Sequence, residues 1–311
     1  VISGYNGSIN TTSTVTTANI TKAPLTVKAN DDARFVTFSD TAGYTGASYS
    51  GFVNNETLAT SGVTGTLAIA RSSASNAAGT YALTPSGLSA NNYNITFANG
   101  TYTIVPAQQL IVRVTDGTSI YGNVTSLAVA SATYLMPDNV TIVNLTSNLS
   151  LSNGTYTLQD GASGAASFRL GLVNATLSGA NQVAAGIWNV GYSNLNKVGV
   201  NFNNMTVIGT QTVTAKAINV TATAANKEYN GNTNATINTS GVTNATLVSG
   251  GLVAGDNVTV SASGTFTNKN ANTSILVTLN STYGGADASN YNITSQANTT
   301  ANITAKAVTL T

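Results

Sequence analysis

The amino-acid sequence predicts an all-β protein: small antiparallel sandwich-like domains, Ig-like or β-grasp-like, repeated in tandem and standing in a row. Three observations predict it. First, one phrase recurs four times, as ITKAPLTV from Ile20, IVPAQQLIV from Ile104, VTAKAINV from Val213 and ITAKAVTL from Ile303. Aligned on Ala23, Ala107, Ala217 and Ala307, the copies lie 84, 110 and 90 residues apart. A period of that length marks an array of domains rather than the turns of a solenoid, which repeat at about 20–50 residues. Second, apolar and polar residues alternate at period two, the pattern of a half-buried strand. Third, the alternating runs are short and bounded by Gly, Asn, Asp or Ser, as in small antiparallel sheets.

Taken in order, the opening YNGSINTTSTVTTANITKA repeats the phrases that close later units, so residues 1–21 read as the tail of a preceding repeat. The first complete unit is 22–106. In its LTVKA, Leu25, Val27 and Ala29 face one way and Thr26 and Lys28 the other. NNETLAT at 54–60 is expected to cap and carry one helical turn, with Asn54 or Asn55 as cap. YNITF places Tyr93, Ile95 and Phe97 inward. The second unit, 107–216, is longer and divergent. The third, 217–306, contains NVTVSASGTF, with Val258, Val260, Ala262 and Phe266 on one face. Residues 307–311 read as the first strand of a following repeat. Tyr93, Tyr192 and Tyr291 recur near unit ends and are expected to be core, as are Phe266 and Trp188, whose AGIWNV aligns with AGTYAL at 78–83.

Composition narrows the function. Only 7% of residues are charged, with 11 Lys and Arg against 10 Asp and Glu, where about 25% is ordinary. No basic patch attracts nucleic acid, so none is expected as a partner. Hydrophobic content is 42%, enough for packed cores. No apolar run approaches the length of a membrane-spanning helix, so no span is expected in this segment. The sequence has no Cys and no His, which removes thiol nucleophiles, the usual zinc ligands and the imidazole base. The ten carboxylates are scattered, mostly in loop-like contexts, and no pair is required to share a cleft. No catalytic residue, metal site or cofactor is therefore expected. Asn30-Asp31-Asp32 lacks the alternating ligands of a calcium loop and reads as a turn. A Lys–Asn amide crosslink is conceivable at Lys227, beside Glu228, but nearness to Asn carries no information in this sequence.

Neutral polar residues replace charge: 51 Thr, 30 Ser and 40 Asn. They form 23 Asn-x-Ser/Thr sequons, 19 with Thr at the third position; chance, from 40 Asn and 81 Ser or Thr in 311 residues, gives roughly 10. A half-buried strand produces Asn-apolar-Thr by itself, since residues i and i+2 share a face, yet Asn is depleted from strands. N-glycosylation needs an exposed Asn, and the candidate sites are Asn19, Asn94, Asn99, Asn123, Asn139, Asn144, Asn174, Asn204, Asn219, Asn234, Asn244, Asn257, Asn280, Asn292 and Asn302. Sugar on outward strand faces would do the work of the scarce charged gatekeepers against edge-to-edge aggregation.

Two stretches carry a family resemblance. KEYNGNTNATI at 227–237, LVAGDNVTVSASGTFTNKNANTSILVTL and GADASNYNIT together resemble the YDG domain of bacterial cell-surface proteins, over about 217–307; Asn230 stands where the motif has Asp. APLTVKANDD, YSGFVNNETL, GTLAIAR and the run from Ala77 to Ile104 make the first unit similar to the MBG domain that often accompanies it, although ARFVTF replaces its usual Tyr-Gly. The middle unit keeps that pair as Tyr121-Gly122 in SIYGNVTSL. The resemblance implies an extracellular, cell-surface, adhesin-like structural repeat protein and no enzyme. The expected partners are copies of itself or adjoining repeats end to end, joined by strand addition or by covalent continuity, and glycans or a host or matrix surface. A carbohydrate- or matrix-binding adhesion module is the alternative.

Overall fold

The computed structural model describes residues 20–54, 56–238 and 251–309. The expectations for residues 1–19, Asn19, Asn244 and 310–311 lie outside the described residues. Strand makes up 57% of the structure and no α-helix occurs among the described residues, so the fold is all-β. The expectation for Asn55 as cap also lies outside the described residues; residues 56–61 form turns instead, where Ser61 N–H reaches Thr57 O at 2.9 Å, a single α-type bond that is not continued. With Asn54 left-handed at φ 53° and Gly62 following, the segment has no room to propagate a helix.

One pairing rule recurs three times. The opening strand of each unit lies parallel to the penultimate one: Ala23–Ala29 beside Tyr93–Ala98, Gln109–Val114 beside Asn204–Ile208, and Lys216–Val220 beside Tyr291–Ser295. The second strand lies parallel to the last: Asp32–Phe35 beside Gly100–Val105, Gly117–Ile120 beside Thr210–Thr214, and Lys227–Glu228 beside Asn298–Thr304. The phrases that repeat in the sequence are thus the ones that touch. Parallel neighbours need a long crossover, and the middle of each unit supplies it as antiparallel ladders, such as Val63–Arg71 on Gly79–Ala90 and Thr259–Phe266 on Asn272–Gly284. The sheets are therefore mixed, a distinction that period-two alternation does not carry. Two glycines permit the first ladder its bulge: Gly65 and Gly87 have φ of 93° and 88°, and a Cβ on either would lie 2.1–2.2 Å from a carbonyl oxygen across the ladder.

Alternation does place the cores. Leu25, Val27 and Ala29 are buried while Thr26 and Lys28 are half-exposed, and Phe266 closes an alternating strand with its ring fully inside. Each large apolar side chain so buried contributes about 1.5–3 kcal/mol. Phe97 departs from the pattern, being more than a third exposed near the end of its strand.

The units do not hang on linkers. Only Pro106, Ala107 and Gln108 separate Gly100–Val105 from Gln109–Val114, and only Ala215 separates Thr210–Thr214 from Lys216–Val220. Each boundary is closed by one apolar cluster with members from both sides. Ala33, Phe35 and Val105 pack with Ile111, Leu135 and Ile208 at the first. Tyr121 and Val213 pack with Ile218, Val220, Leu252, Val258 and Tyr291 at the second. The strand Ala47–Ser50 of the first unit also lies against Gly186–Val198 and Thr210–Thr214 of the second.

Candidate functional site

The second joint is built on two buried carboxylates. Tyr121 follows the second strand of its unit, where its backbone N–H closes the ladder on Thr214 O at 2.8 Å. That fixes its side chain toward the third unit, and its hydroxyl donates to Asp256 Oδ2 at 2.6 Å. Tyr291 donates to the same oxygen, and the two rings meet edge to face, 5.4 Å apart. Asp256 Oδ1 takes the Ala180 N–H, and Asp287 takes the N–H groups of Gly179 and Asn257. Burial first, and then the hydrogen bond to Asp256, raise the Tyr121 hydroxyl to about 12; the same two causes push Tyr291 well above the ordinary tyrosine value. Both hydroxyls thus stay protonated and donating at neutral pH.

The first joint pairs charge differently. Arg113 of the second unit reaches back to Asp32 Oδ1 at 2.8 Å and to Ala33 O. Lys28 Nζ donates to Asn189 Oδ1, and Asn30 Nδ2 approaches Asp116 Oδ2 at 3.4 Å. Inside the first unit, Asp40 accepts from Arg34 at 2.7 Å, Arg71 at 2.9 Å and Tyr102 at 3.1 Å. Burial would raise the Asp40 carboxyl, but these donors outweigh it and hold it below the usual carboxylate value.

Four of the ten carboxylates accept from tyrosine hydroxyls, a pattern the sequence conceals. Tyr93 donates to Glu56, Tyr134 to Asp160 at 3.2 Å, Tyr102 to Asp40, and Tyr121 and Tyr291 to Asp256. Glu56 and Asp256 are equivalent, each three residues after a valine whose backbone N–H donates to the same tyrosine, Val53 to Tyr93 and Val253 to Tyr291. The signal available in the sequence was the match of VNNE with VAGD, each followed about 35 residues later by Asn-Tyr-Asn. Among the described residues no three acidic side chains converge on a metal-sized site.

Of the expected core residues, Tyr93, Tyr291 and Phe266 are buried. Trp188 is half-buried; it stands opposite Gln211 as Tyr81 stands opposite Tyr102, and its Nε1 donates to Ala184 O at 2.9 Å. Tyr192 is not core. It is 38% exposed on the long strand Gly186–Val198, because its phrase GYSNLN only imitates the closing one. The penultimate strand of that unit begins at Asn204, and Phe202 and Met205 are the side chains buried there, in that unit's core.

Eleven of the candidate asparagines are exposed: Asn94, Asn99, Asn123, Asn139, Asn144, Asn174, Asn204, Asn219, Asn234, Asn257 and Asn280. Asn292 and Asn302 are half-buried, and Asn302 Oδ1 holds the Ser274 N–H at 2.7 Å. Not all the asparagine excess is strand surface. Asn54, Asn139, Asn153, Asn174, Asn181 and Asn194 have φ between 48° and 58°, the left-handed region that Asn tolerates best after Gly. Lys227 is wrapped by its own loop: its Nζ donates to Asn230 Oδ1, Asn232 O, Asn232 Oδ1 and Asn234 O at 2.8–3.1 Å and lies over the Phe266 ring.

Two family descriptions match the chain, the MBG domain (YGX type) over residues 25–103 and the YDG domain over residues 214–308. The chain carries an MBG domain and a YDG domain. The two matches leave residues 104–213, nearly all of the middle unit, uncovered, although that unit follows the same pairing rule. No curated protein matches the chain. In the YDG domain, the Tyr-Asn-Gly motif is the loop closed around Lys227, and Tyr229 N–H bonds Thr304 O at 2.8 Å. Tyr229 thus stands where Tyr121 stands in the middle unit. Val36 takes that place in the MBG domain, with its N–H on Val105 O, which is why the first joint is closed by apolar contact instead of a tyrosine.

Proposed function

We propose that this chain is a structural, extracellular repeat protein, a section of the stalk or filament of a cell-surface adhesin or fibre, with N-linked sugar on its outward strand faces. One observation carries the reading: both unit boundaries are closed by buried apolar clusters with no linker between strands. A stalk must transmit force and hold a reach, and a joint that buries aromatic and branched side chains resists bending where a flexible linker does not. The MBG and YDG domains, one on each side of the middle unit, support the tandem reading. Tyr229 is 37% exposed; presented to a following unit, it would offer its hydroxyl as Tyr121 does to Asp256. Glu56 with Tyr93 is the matching acceptor on the MBG domain. Head-to-tail contact of copies or adjoining repeats then repeats the second joint.

Small-angle scattering tests the rigidity, with a single stiff particle expected and the broad distribution of freely pivoting beads counting against it. Glycopeptide mapping of native material tests the sugar. Occupancy is expected at Asn94, Asn219 and Asn280 and not at Asn302; an intact mass equal to the bare 31.4 kDa would remove the glycan from the reading.

A second reading, a carbohydrate-binding module, draws on one cleft. A space of about 380 Å³ is walled by Tyr49, Phe52 and Glu56 of the MBG domain, Thr214 of the middle unit and Asn292 of the YDG domain. Tyr49 and Phe52 stack with ring centroids 6.0 Å apart, a platform suited to a sugar ring. Silence on a glycan array would set this reading aside.

A further inference from the structure

We propose that the MBG domain and the middle unit are joined covalently, by an amide bond between the side chains of Lys28 and Asn189. The inference stands on the geometry of the first joint and does not depend on the proposed location or glycosylation.

Lys28 alternates with the buried residues of Ala23–Ala29 and reaches across the joint, where its Nζ meets the Asn189 amide oxygen. Both residues are half-buried. Asn189 lies opposite Thr210 in the ladder between Gly186–Val198 and Thr210–Thr214. Residues directly opposite share a face, and Thr210 Oγ1 is buried there without a hydrogen-bond partner among the described residues. The Thr210 N–H donates to Asp116 Oδ1 at 2.7 Å. The other oxygen of Asp116 faces Asn30 Nδ2 at 3.4 Å, and Asn30 follows Lys28 by two residues in the chain. One carboxyl is therefore tethered both to the lysine's segment and to the strand opposite the asparagine. Asp31 is the acid whose charge acts on Lys28, and it is held by the Thr101 N–H at 2.8 Å.

Condensation needs a neutral amine, a nearby acid and little water. Burial lowers the Lys28 ammonium below its ordinary value, although the charge of Asp31 opposes this. Burial raises Asp116 against its bond from Thr210, and raises Asp31 against Thr101 and Lys28. In the step itself, the Lys28 Nζ lone pair attacks Asn189 Cγ, and the carboxylic acid of Asp116 protonates the departing nitrogen. The Cγ–Nδ2 bond breaks, ammonia leaves, and Asp116 recovers a proton from Nζ. Amine plus carboxamide becomes secondary amide plus ammonia, with no oxidant, metal or cofactor. The product would clamp the joint across 161 residues of chain and bar the two units from parting under load. Lys227, despite its asparagine neighbours, sits in an exposed loop and donates to four of that loop's oxygens.

Mass spectrometry of the full chain, expressed without glycosylation, tests the proposal. The intact mass is expected to fall short of the sequence mass by about 17 Da, the mass of ammonia. Digestion is expected to yield one branched peptide containing Lys28 and Asn189. Lys28→Arg and Asn189→Ala should restore the full mass, and Asp116→Ala should leave most of the chain unlinked. Lys28 and Asn189 recovered in separate, unmodified peptides of the wild-type chain would overturn the proposal, whether or not the variants fold. A deficit that persists in Lys28→Arg would also overturn it, since that marks an asparagine succinimide. Full linkage in Asp116→Ala would overturn the role of Asp116.

Discussion

Replacing Tyr121 by Phe removes one oxygen from the centre of the second joint. The ring stays, so the edge-to-face contact with Tyr291 and the surrounding apolar cluster survive. What is lost is a donor to Asp256, a residue 1% exposed, and a bond of 2.6 Å between the same hydroxyl and Ser178. A hydrogen bond to a charged group contributes about 1.5–3 kcal/mol. Asp256 keeps the Tyr291 hydroxyl and the Ala180 N–H, which places the expected loss near the middle, about 2 kcal/mol. For a cooperative unit of about 100 residues, at about 4–8 °C per kcal/mol, that lowers the melting temperature by about 8–16 °C. Because the array is not a single two-state domain, the decisive assay is hydrogen exchange by segment. Protection should fall together in Thr210–Thr214 and in Lys216–Val220, on both sides of the boundary, and stay constant in Gly79–Ala90. Tyr291→Phe should couple to Tyr121→Phe by about 0.5–3 kcal/mol, since both hydroxyls meet one oxygen. Loss confined to one side of the boundary, or strict additivity of the two substitutions, would refute the claim that the carboxylate locks the units together.

Three further outcomes follow from the same structure. Ile111→Ala, 3% exposed in the first joint, should cost about 2–5 kcal/mol, with protection falling in Asp32–Phe35 as well as in its own strand; exchange unchanged in Asp32–Phe35 would show the units to be independent. Stability should decline as pH rises from about 10, the ordinary tyrosine value, through the raised value of about 12 at Tyr121, because a group whose folded value is raised stabilises fully only below its unfolded value. Asp40 acts in the opposite sense, so a second loss is expected as pH falls below the ordinary value of 3.8; a flat denaturation midpoint in the alkaline window would contradict the tyrosine–carboxylate pairing, and one in the acid window the hold of Arg34, Arg71 and Tyr102 on Asp40. Lys227→Met should leave Phe266 packed but free the loop 229–234, seen as local exchange without a shift in global melting, whereas an unchanged loop would mean that the ammonium does not organise it.

Much of the fold could be read from local pattern. The alternation in LTVKA and in NVTVSASGTF placed Leu25, Val27, Val258 and Phe266 inside, because a strand sends successive side chains to opposite faces whatever its neighbours. The recurring phrases located the unit boundaries for the same reason: the opening and closing strands of each unit face each other and so must keep compatible faces. Tyr192 shows the limit. Its phrase resembled the closing one, but whether a strand is central or penultimate depends on which strand it pairs with, and a six-residue phrase does not encode that.

Strand content, the repeat, the neutral surface and the exposure of most sequon asparagines followed from residue order alone, since each rests on chemistry within a few positions. The parallel pairings, the apolar seals at the joints, the gathering of tyrosine hydroxyls on Glu56, Asp40, Asp160 and Asp256, and the meeting of Lys28 with Asn189 did not. Each brings together groups tens to more than a hundred residues apart, and only three-dimensional folding sets those distances. In a chain this poor in charge, burying its few carboxylates is costly unless donors reach them, and those donors come from strands that the sequence holds far away.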